Sequence, residues 1–236
     1  MVMALPKIND TPKYEVTVPS TKKKVKYRPF LVKEQKVLLL ALETNDDKSI
    51  LNAIVDTIDS CILDDIDVNK LTSFDVEYLF TQIRSASVGE RAKLGFTCVQ
   101  CEQVNEISVD VSKIDIDLPK EKTDIKINDE YTLVMKYPSY KFILNESVNH
   151  ESTTESVYQN VIMYLDKLKS EDEQLNFADE PKDEVLAFID NLTPDQFDPI
   201  MKFINSMPKL RHEVNFKCEQ CEHDNIAVME GMNDFF

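Results

Sequence analysis

The chain has 236 residues, of which 42% are hydrophobic and 30% are charged, so it can form one large or two small globular domains. Its formal charge of −16, from 27 basic and 43 acidic residues, argues against a protein that binds nucleic acid. No apolar run approaches the roughly 20 residues of a membrane span, and residues 1–10 lack the apolar region of a signal peptide, so we expect no contact with a membrane.

Alternating apolar and polar residues predict a β-hairpin near the N-terminus, with strands over 13–18 and 25–27. The basic run Lys22–Lys26 falls at its turn, where we expect a solvated surface. Helix-forming residues extend from Val32 to Leu42. Asn45-Asp46-Asp47 then breaks this helix and can cap the next one.

The next helix places Ile50, Ile54, Ile58, Cys61 and Ile62 on a single apolar face, which makes Cys61 a packing residue. A third helix follows a cap at Thr72 or Ser73, and its apolar face is predicted to pack in the core. We expect residues 85–95 to connect this helix to a Cys-rich hairpin.

The same order of patterns returns in the second half of the chain. A hairpin is predicted over 124–127 and 131–137, followed by a helix with Val157, Val161, Tyr164, Leu165 and Leu168 on one face. Residues 170–182 read as an acidic exposed loop, and a short helix spans 185–189. The run Thr193-Pro194-Asp195-Gln196 predicts the capped start of a last helix.

Each series of patterns ends in a CxxC motif, Cys98–Cys101 in the first and Cys218–Cys221 in the second. Two such turns supply the four thiolates of a tetrahedral zinc site, with Zn–S distances of about 2.3 Å. Residues 102–217 separate the motifs, which is long for a zinc ribbon. Either both pairs share one long-range site, or each is a separate and incomplete knuckle.

An internal duplication accounts for this spacing. We predict an α+β protein with a first repeat over 1–116 and a second over 117–236, or a single compact domain built from both. Each repeat contains a β-hairpin, helices and a zinc hairpin. The two CxxC pairs then join in one zinc-ribbon-like site of four cysteines.

The predicted zinc is structural, because four thiolates leave no open position for water or substrate. Iron in place of zinc and disulfides between the pairs are the alternatives. A redox CxxC normally opens a helix after a strand, and neither motif precedes a helical pattern. His223 could replace a thiolate, but the first copy has Gln103 at that place. We find no catalytic residues and predict no enzyme.

The residues around the first hairpin resemble those of T4-type tailed-phage baseplate hub proteins. The resemblance is carried by Leu5-Pro6-Lys7, Tyr14-Glu15-Val16, Pro19-Ser20-Thr21, the run Lys26–Gln35, and Ser87-Val88-Gly89-Glu90 before the first CxxC. It implies a structural component or assembly factor of a contractile tail, without catalytic residues. It also implies contacts with other hub and tail proteins, assembly in the host bacterial cytoplasm, and a place in the virion baseplate.

Two other functions are compatible with paired CxxC motifs. A zinc-ribbon transcription factor or other nucleic-acid-binding protein needs basic or aromatic fingertips, whereas Val99-Gln100 and Glu219-Gln220 are neutral or acidic. A thiol oxidoreductase is disfavoured by the strand context of both motifs. The hub component is therefore the first hypothesis and the zinc ribbon the alternative.

Overall fold

The computed structural model describes residues 11–114, 116, 123–141, 158 and 160–230. Helices and short antiparallel sheets occur together in these ranges, which confirms the α+β class. The chain divides into two compact units. Unit 1 contains Met1–Val68, Asp75–Asp115 and Leu210–Phe236, and unit 2 contains Asn69–Phe74 and Ile116–Lys209.

These units differ from the predicted repeats in two segments. Asn69–Phe74 lies in the predicted first repeat but belongs to unit 2. Leu210–Phe236, which sequence analysis assigned to the second repeat, belongs to the same unit as the N-terminal hairpin and the first CxxC. Both motifs therefore lie in unit 1. The duplication itself stays a prediction.

The part of unit 1 that the structure describes contains three two-stranded antiparallel sheets and three α-helices. Among its described residues the elements are β1 (Tyr14–Thr17), β2 (Lys24–Tyr27), α1 (Val32–Glu43), α2 (Asp47–Cys61), α3 (Ser73–Val88, whose first two residues fall in unit 2), β3 (Arg91–Thr97), β4 (Val104–Asp110), β9 (Arg211–Lys217) and β10 (Asp224–Glu230). The predicted connector over 85–95 is wrong, because α3 continues to Val88 and β3 begins at Arg91.

Local signals in the sequence explain where the unit 1 helices begin and which face they bury. The Asp46 carboxylate accepts a hydrogen bond of 3.0 Å from the Ser49 N–H and so caps α2. Most residues of the predicted apolar faces of α2 and α3 are buried, and so are residues of the first hairpin. The fully buried side chains include Val18, Val25, Ile58, Cys61, Val76, Leu79 and Ile83.

Unit 2 is built on a four-stranded antiparallel sheet with strand order β5-β6-β7-β8. Its described elements are β5 (Asp124–Lys126), β6 (Thr132–Met135), β7 (Leu165–Lys169), β8 (Gln174–Asn176), α4 (Lys182–Asp190) and α5 (Pro194–Asn205). The core contains side chains from the sheet and from both helices, among them Leu133, Met135, Leu165, Val185, Ile189, Ile200 and Phe203. The predicted loop over 170–182 is wrong in part, because β8 lies within it.

The helix predicted with Val157, Val161, Tyr164, Leu165 and Leu168 on one face is wrong in part. Residues 158, 160 and 161 are helical and Ile162–Tyr164 forms a 3-10 turn, but Leu165–Lys169 forms strand β7. The register between β6 and β7 shifts between Val134 and Met135, so that Leu168 pairs with Leu133 while Leu165 pairs with Met135. This bulge brings two β7 leucines three positions apart opposite β6 residues two positions apart. Leu165 and Leu168 therefore have the spacing of a helix but pair within a sheet. Val157, at the start of the predicted helix, lies outside the described residues.

Helix α5 begins as predicted. The Thr193 N–H donates to the Gln196 side-chain oxygen at 2.9 Å, and the Thr193 hydroxyl donates to the same oxygen at 3.1 Å. The helix buries Ile200 and Phe203 against the sheet. Within the described ranges, no helix is both long and apolar enough to cross a bilayer.

Candidate metal centre

Two hairpins of identical length carry the CxxC motifs. Strands β3 and β4 pair from Arg91↔Asp110 to Thr97↔Val104, and β9 and β10 pair from Arg211↔Glu230 to Lys217↔Asp224. The second hairpin repeats the first at a constant offset in residue number. Each motif begins directly after the last ladder residue, so both CxxC turns lie at hairpin tips and neither opens a helix.

The structure brings the four predicted ligands together. The Sγ atoms of Cys98 and Cys221 are 3.6 Å apart, as are those of Cys101 and Cys218, and all four lie within 4.8 Å of one another. A tetrahedral site with Zn–S distances of about 2.3 Å has S···S edges of about 3.8 Å. The cysteines are free, and 3.6 Å is far beyond the roughly 2.05 Å of a disulfide.

The backbone of each tip folds so that it directs both sulfurs to the same side. In the first tip the Cys98 N–H donates to the Gln103 carbonyl at 2.8 Å, and Glu102, at φ 60°, donates back to the Cys98 carbonyl at 3.0 Å. The second tip has the same bonds, with the Cys218 N–H donating to the His223 carbonyl at 2.9 Å. Among the described residues the cluster contains only cysteines, so the His223 imidazole is not part of it.

The protein environment lowers the pKa of some of these thiols and raises that of others. Burial alone would raise the pKa of the Cys98 thiol, but the N–H groups of Cys101 and Gln100 and the Asn225 amide lower it to about 6. The pKa of Cys218 is lowered in the same way, by backbone N–H groups. The His223 N–H tends to lower the pKa of Cys221, but burial and the neighbouring sulfurs raise it to about 12. Metal binding requires thiolates and so releases the remaining protons.

Two buried asparagines next to the sulfurs were missed by the sequence analysis. The Asn105 Oδ1 accepts from the Glu219 N–H at 2.9 Å, and the Asn225 Oδ1 accepts from the Val99 N–H at 3.0 Å. Both asparagines are almost fully buried. A signal was present, since each stands four residues after the second cysteine of its motif.

One aromatic residue from each hairpin forms a pair close to the motifs in sequence. Phe96 and Phe216, each two residues before a motif, have ring centroids 5.7 Å apart.

The fifth cysteine is separate from the cluster of four, as predicted. Cys61 is buried at the end of α2, where burial raises the pKa of its thiol to about 11. The Arg28 Nη1 lies 3.7 Å from the Cys61 Sγ and donates to it.

Comparison with known protein families identifies one match. The model of the family described as T4 bacteriophage base plate protein matches residues 11–236. The match therefore includes both CxxC motifs and both compact units. Comparison with curated proteins and with solved structures found no match.

Proposed function

Because the chain belongs to the T4 bacteriophage base plate protein family, we propose that it is a structural component or assembly factor of the hub in a contractile phage tail baseplate. The family match over residues 11–236 is the observation that carries this proposal. The chain works by contact with other hub and tail proteins and performs no catalysis. It is made in the host bacterial cytoplasm and enters the tail during assembly.

The four clustered cysteines support a structural zinc ion within unit 1. Cys98, Cys101, Cys218 and Cys221 supply four thiolates, which close the coordination sphere. The ion would tie the tip of the β3–β4 hairpin to the tip of the β9–β10 hairpin, although residues 102–217 lie between them in the chain. In small zinc peptides such sites contribute about 10–16 kcal/mol of apparent binding free energy.

Helix α1 is the surface that we assign to a protein partner. Its only buried residue is Glu34, while Val32, Leu39, Leu40 and Leu42 are each about half exposed or more. Leu39 and Leu42 also line an open apolar groove between α1, α2 and the end of α3. Contiguous exposed apolar side chains of this kind mark protein contacts.

Net charge distinguishes between a second copy of this chain and a different protein as the occupant of this groove. A second copy would bring another −16 charge to the contact, and self-repulsion of this size favours monomers. We therefore assign the groove to a different, net-basic baseplate protein with an apolar contact face. Such a partner associates at a rate that falls as ionic strength rises.

Co-expression with the other tail proteins, followed by pull-down across a salt series, tests the proposal. We expect retention of a tail protein at low salt, weaker retention at high salt, and loss of retention with Leu39→Asp plus Leu42→Asp. The matched control is Ile226→Asp, which changes an apolar residue on β10 that is at least as exposed as Leu39 and Leu42. Mass spectrometry of purified virions then tests whether the chain stays in the tail.

Retention of no tail protein at low salt would overturn the proposal. Filter binding of DNA by the same preparation would then favour the zinc-ribbon alternative. Elemental analysis of the purified chain tests the metal independently, because zinc content should not change with salt. Finding one zinc per chain supports the site, and finding iron or no metal contradicts it.

A further inference from the structure

The two buried asparagines form a reciprocal contact between the hairpins. Asn105 belongs to the β3–β4 hairpin but accepts the Glu219 N–H of the other tip, and Asn225 belongs to the β9–β10 hairpin but accepts the Val99 N–H. The two bonds are nearly equal, at 2.9 and 3.0 Å. Each hairpin therefore binds the backbone of the other one, and none of these donor and acceptor atoms is a sulfur.

The other end of each amide sets the direction of its oxygen. The Asn105 Nδ2 donates to the Gln103 carbonyl at 2.9 Å, and the Asn225 Nδ2 donates to the His223 carbonyl at 2.9 Å. Each amide thus accepts with its oxygen from the opposite tip and donates with its NH2 to its own tip. The Asn225 Nδ2 also donates to the Cys98 Sγ of the opposite tip, at 3.6 Å. Only a side chain with a donor and an acceptor on one planar group satisfies both partners. Aspartate lacks the donor, and alanine lacks both.

We propose that Asn105 and Asn225 are positioning residues that hold the two hairpin tips together before metal binds, so that the four sulfurs meet the ion already close to tetrahedral spacing. This inference deepens the proposed zinc site and rests on it for its effect on metal affinity. Its structural part stands apart from the metal at Asn105, whose side-chain hydrogen bonds are all to backbone groups, whereas the Asn225 Nδ2 also donates to the Cys98 Sγ. Burial of both asparagines shields these bonds from water.

Each asparagine should protect one amide in the opposite hairpin. We call this the crossed pattern, and a general loss of stability would not give it. The Val99 and Glu219 side chains are exposed, and their N–H groups point to the asparagine oxygens. Asn105→Ala should accelerate hydrogen exchange at the Glu219 amide in the opposite hairpin by roughly tenfold, and leave the Val99 amide protected. Asn225→Ala should accelerate exchange at Val99 and leave Glu219 protected.

The experiment measures amide exchange by NMR in the full chain, with and without a chelator, and Zn²⁺ affinity by competition. Each single variant should bind Zn²⁺ about 10–100-fold more weakly, as substitutions next to metal ligands usually do. Asn215→Ala is the matched control, because Asn215 is exposed on β9 and outside the contact. It should change neither affinity nor the two amides.

Three outcomes are informative. Protection of Val99 and Glu219 in the chelated wild type, with the crossed pattern in the variants, supports the proposal. If both amides exchange as fast as unprotected amides once the metal is removed, the proposal is overturned, because the ion alone would then join the tips. If the purified chain binds no metal and still shows the crossed pattern, the positioning contact stands and the zinc proposal fails. Should a single variant unfold, the protection of Val99 and Glu219 in the chelated wild type still decides whether the contact holds the tips together without metal.

Discussion

Cys98→Ser is the sharpest test of how the cysteine cluster supports the fold. The substitution removes one of the four ligands and leaves three sulfurs that face a hydroxyl group. Because Cys98 and Cys218 lie on different hairpins of the same unit, the loss should loosen both hairpins. Unit 2 should not respond, since its core is formed by its own sheet and helices.

The magnitude follows from what else joins the two tips. The two asparagine bonds contribute about 0.5–1.5 kcal/mol each, and the Phe96–Phe216 pair adds a similar amount beyond its buried area. These contacts are small beside the 10–16 kcal/mol typical of a four-ligand zinc peptide. Loss of a metal belongs to the substitutions that cost more than about 4 kcal/mol. For a unit of this size the Tm should fall by at least about 8 °C.

Hydrogen exchange read by mass spectrometry locates the effect along the chain. Peptides from 91–110 and 211–230 should lose protection together in Cys98→Ser, while peptides from 165–205 keep theirs. The control is Cys61→Ser, which removes a buried sulfur outside the cluster and should leave the metal content unchanged. Equal loss of protection in 165–205, or an unchanged 211–230 hairpin, would refute the reasoning.

Three further predictions concern the core of unit 2, the Arg28–Glu34 ion pair and the start of α5. Ile200→Ala leaves a cavity in the core of unit 2 and should cost about 2–5 kcal/mol in a denaturant titration, whereas Ile226→Ala, at an exposed position, should change stability by less than about 0.5 kcal/mol. Burial would raise the pKa of Glu34, but the Arg28 guanidinium at 2.9 Å helps to hold it below its ordinary value of 4.5. The ionised Glu34 side chain therefore contributes its full stabilisation above pH 4.5, and this stabilisation is lost as the pH falls through the lowered pKa. Glu34→Gln should cost about 1.5–3 kcal/mol of stability at pH 7. If stability depends on pH in the variant as it does in wild type, the prediction is contradicted. Thr193→Ala removes the hydroxyl that donates to Gln196 at the start of α5 and should cost about 1 kcal/mol, and thermal unfolding that does not change would show that this hydroxyl contributes nothing.

Features with a strong local cause were determined by the sequence alone. The CxxC motifs identified the four clustered sulfurs because the chemistry of a metal site requires those residues in close pairs. Asp46 and Thr193 marked the starts of two helices. The Asp46 carboxylate accepts the Ser49 N–H, and the Gln196 side chain accepts the Thr193 N–H. The N-terminal resemblance to baseplate proteins also proved correct at the level of the family.

Features that depend on distant partners were decided only by the tertiary structure. Leu165 and Leu168 have a helical spacing, but a bulge opposite Val134 and Met135 makes them a strand, because pairing with β6 outweighs the local pattern. The place of the last hairpin in unit 1 is equally non-local. Asn105 and Asn225 show the same limit: each looks like an ordinary turn residue in the chain, and its role exists only because the other hairpin supplies the N–H that its buried oxygen must accept.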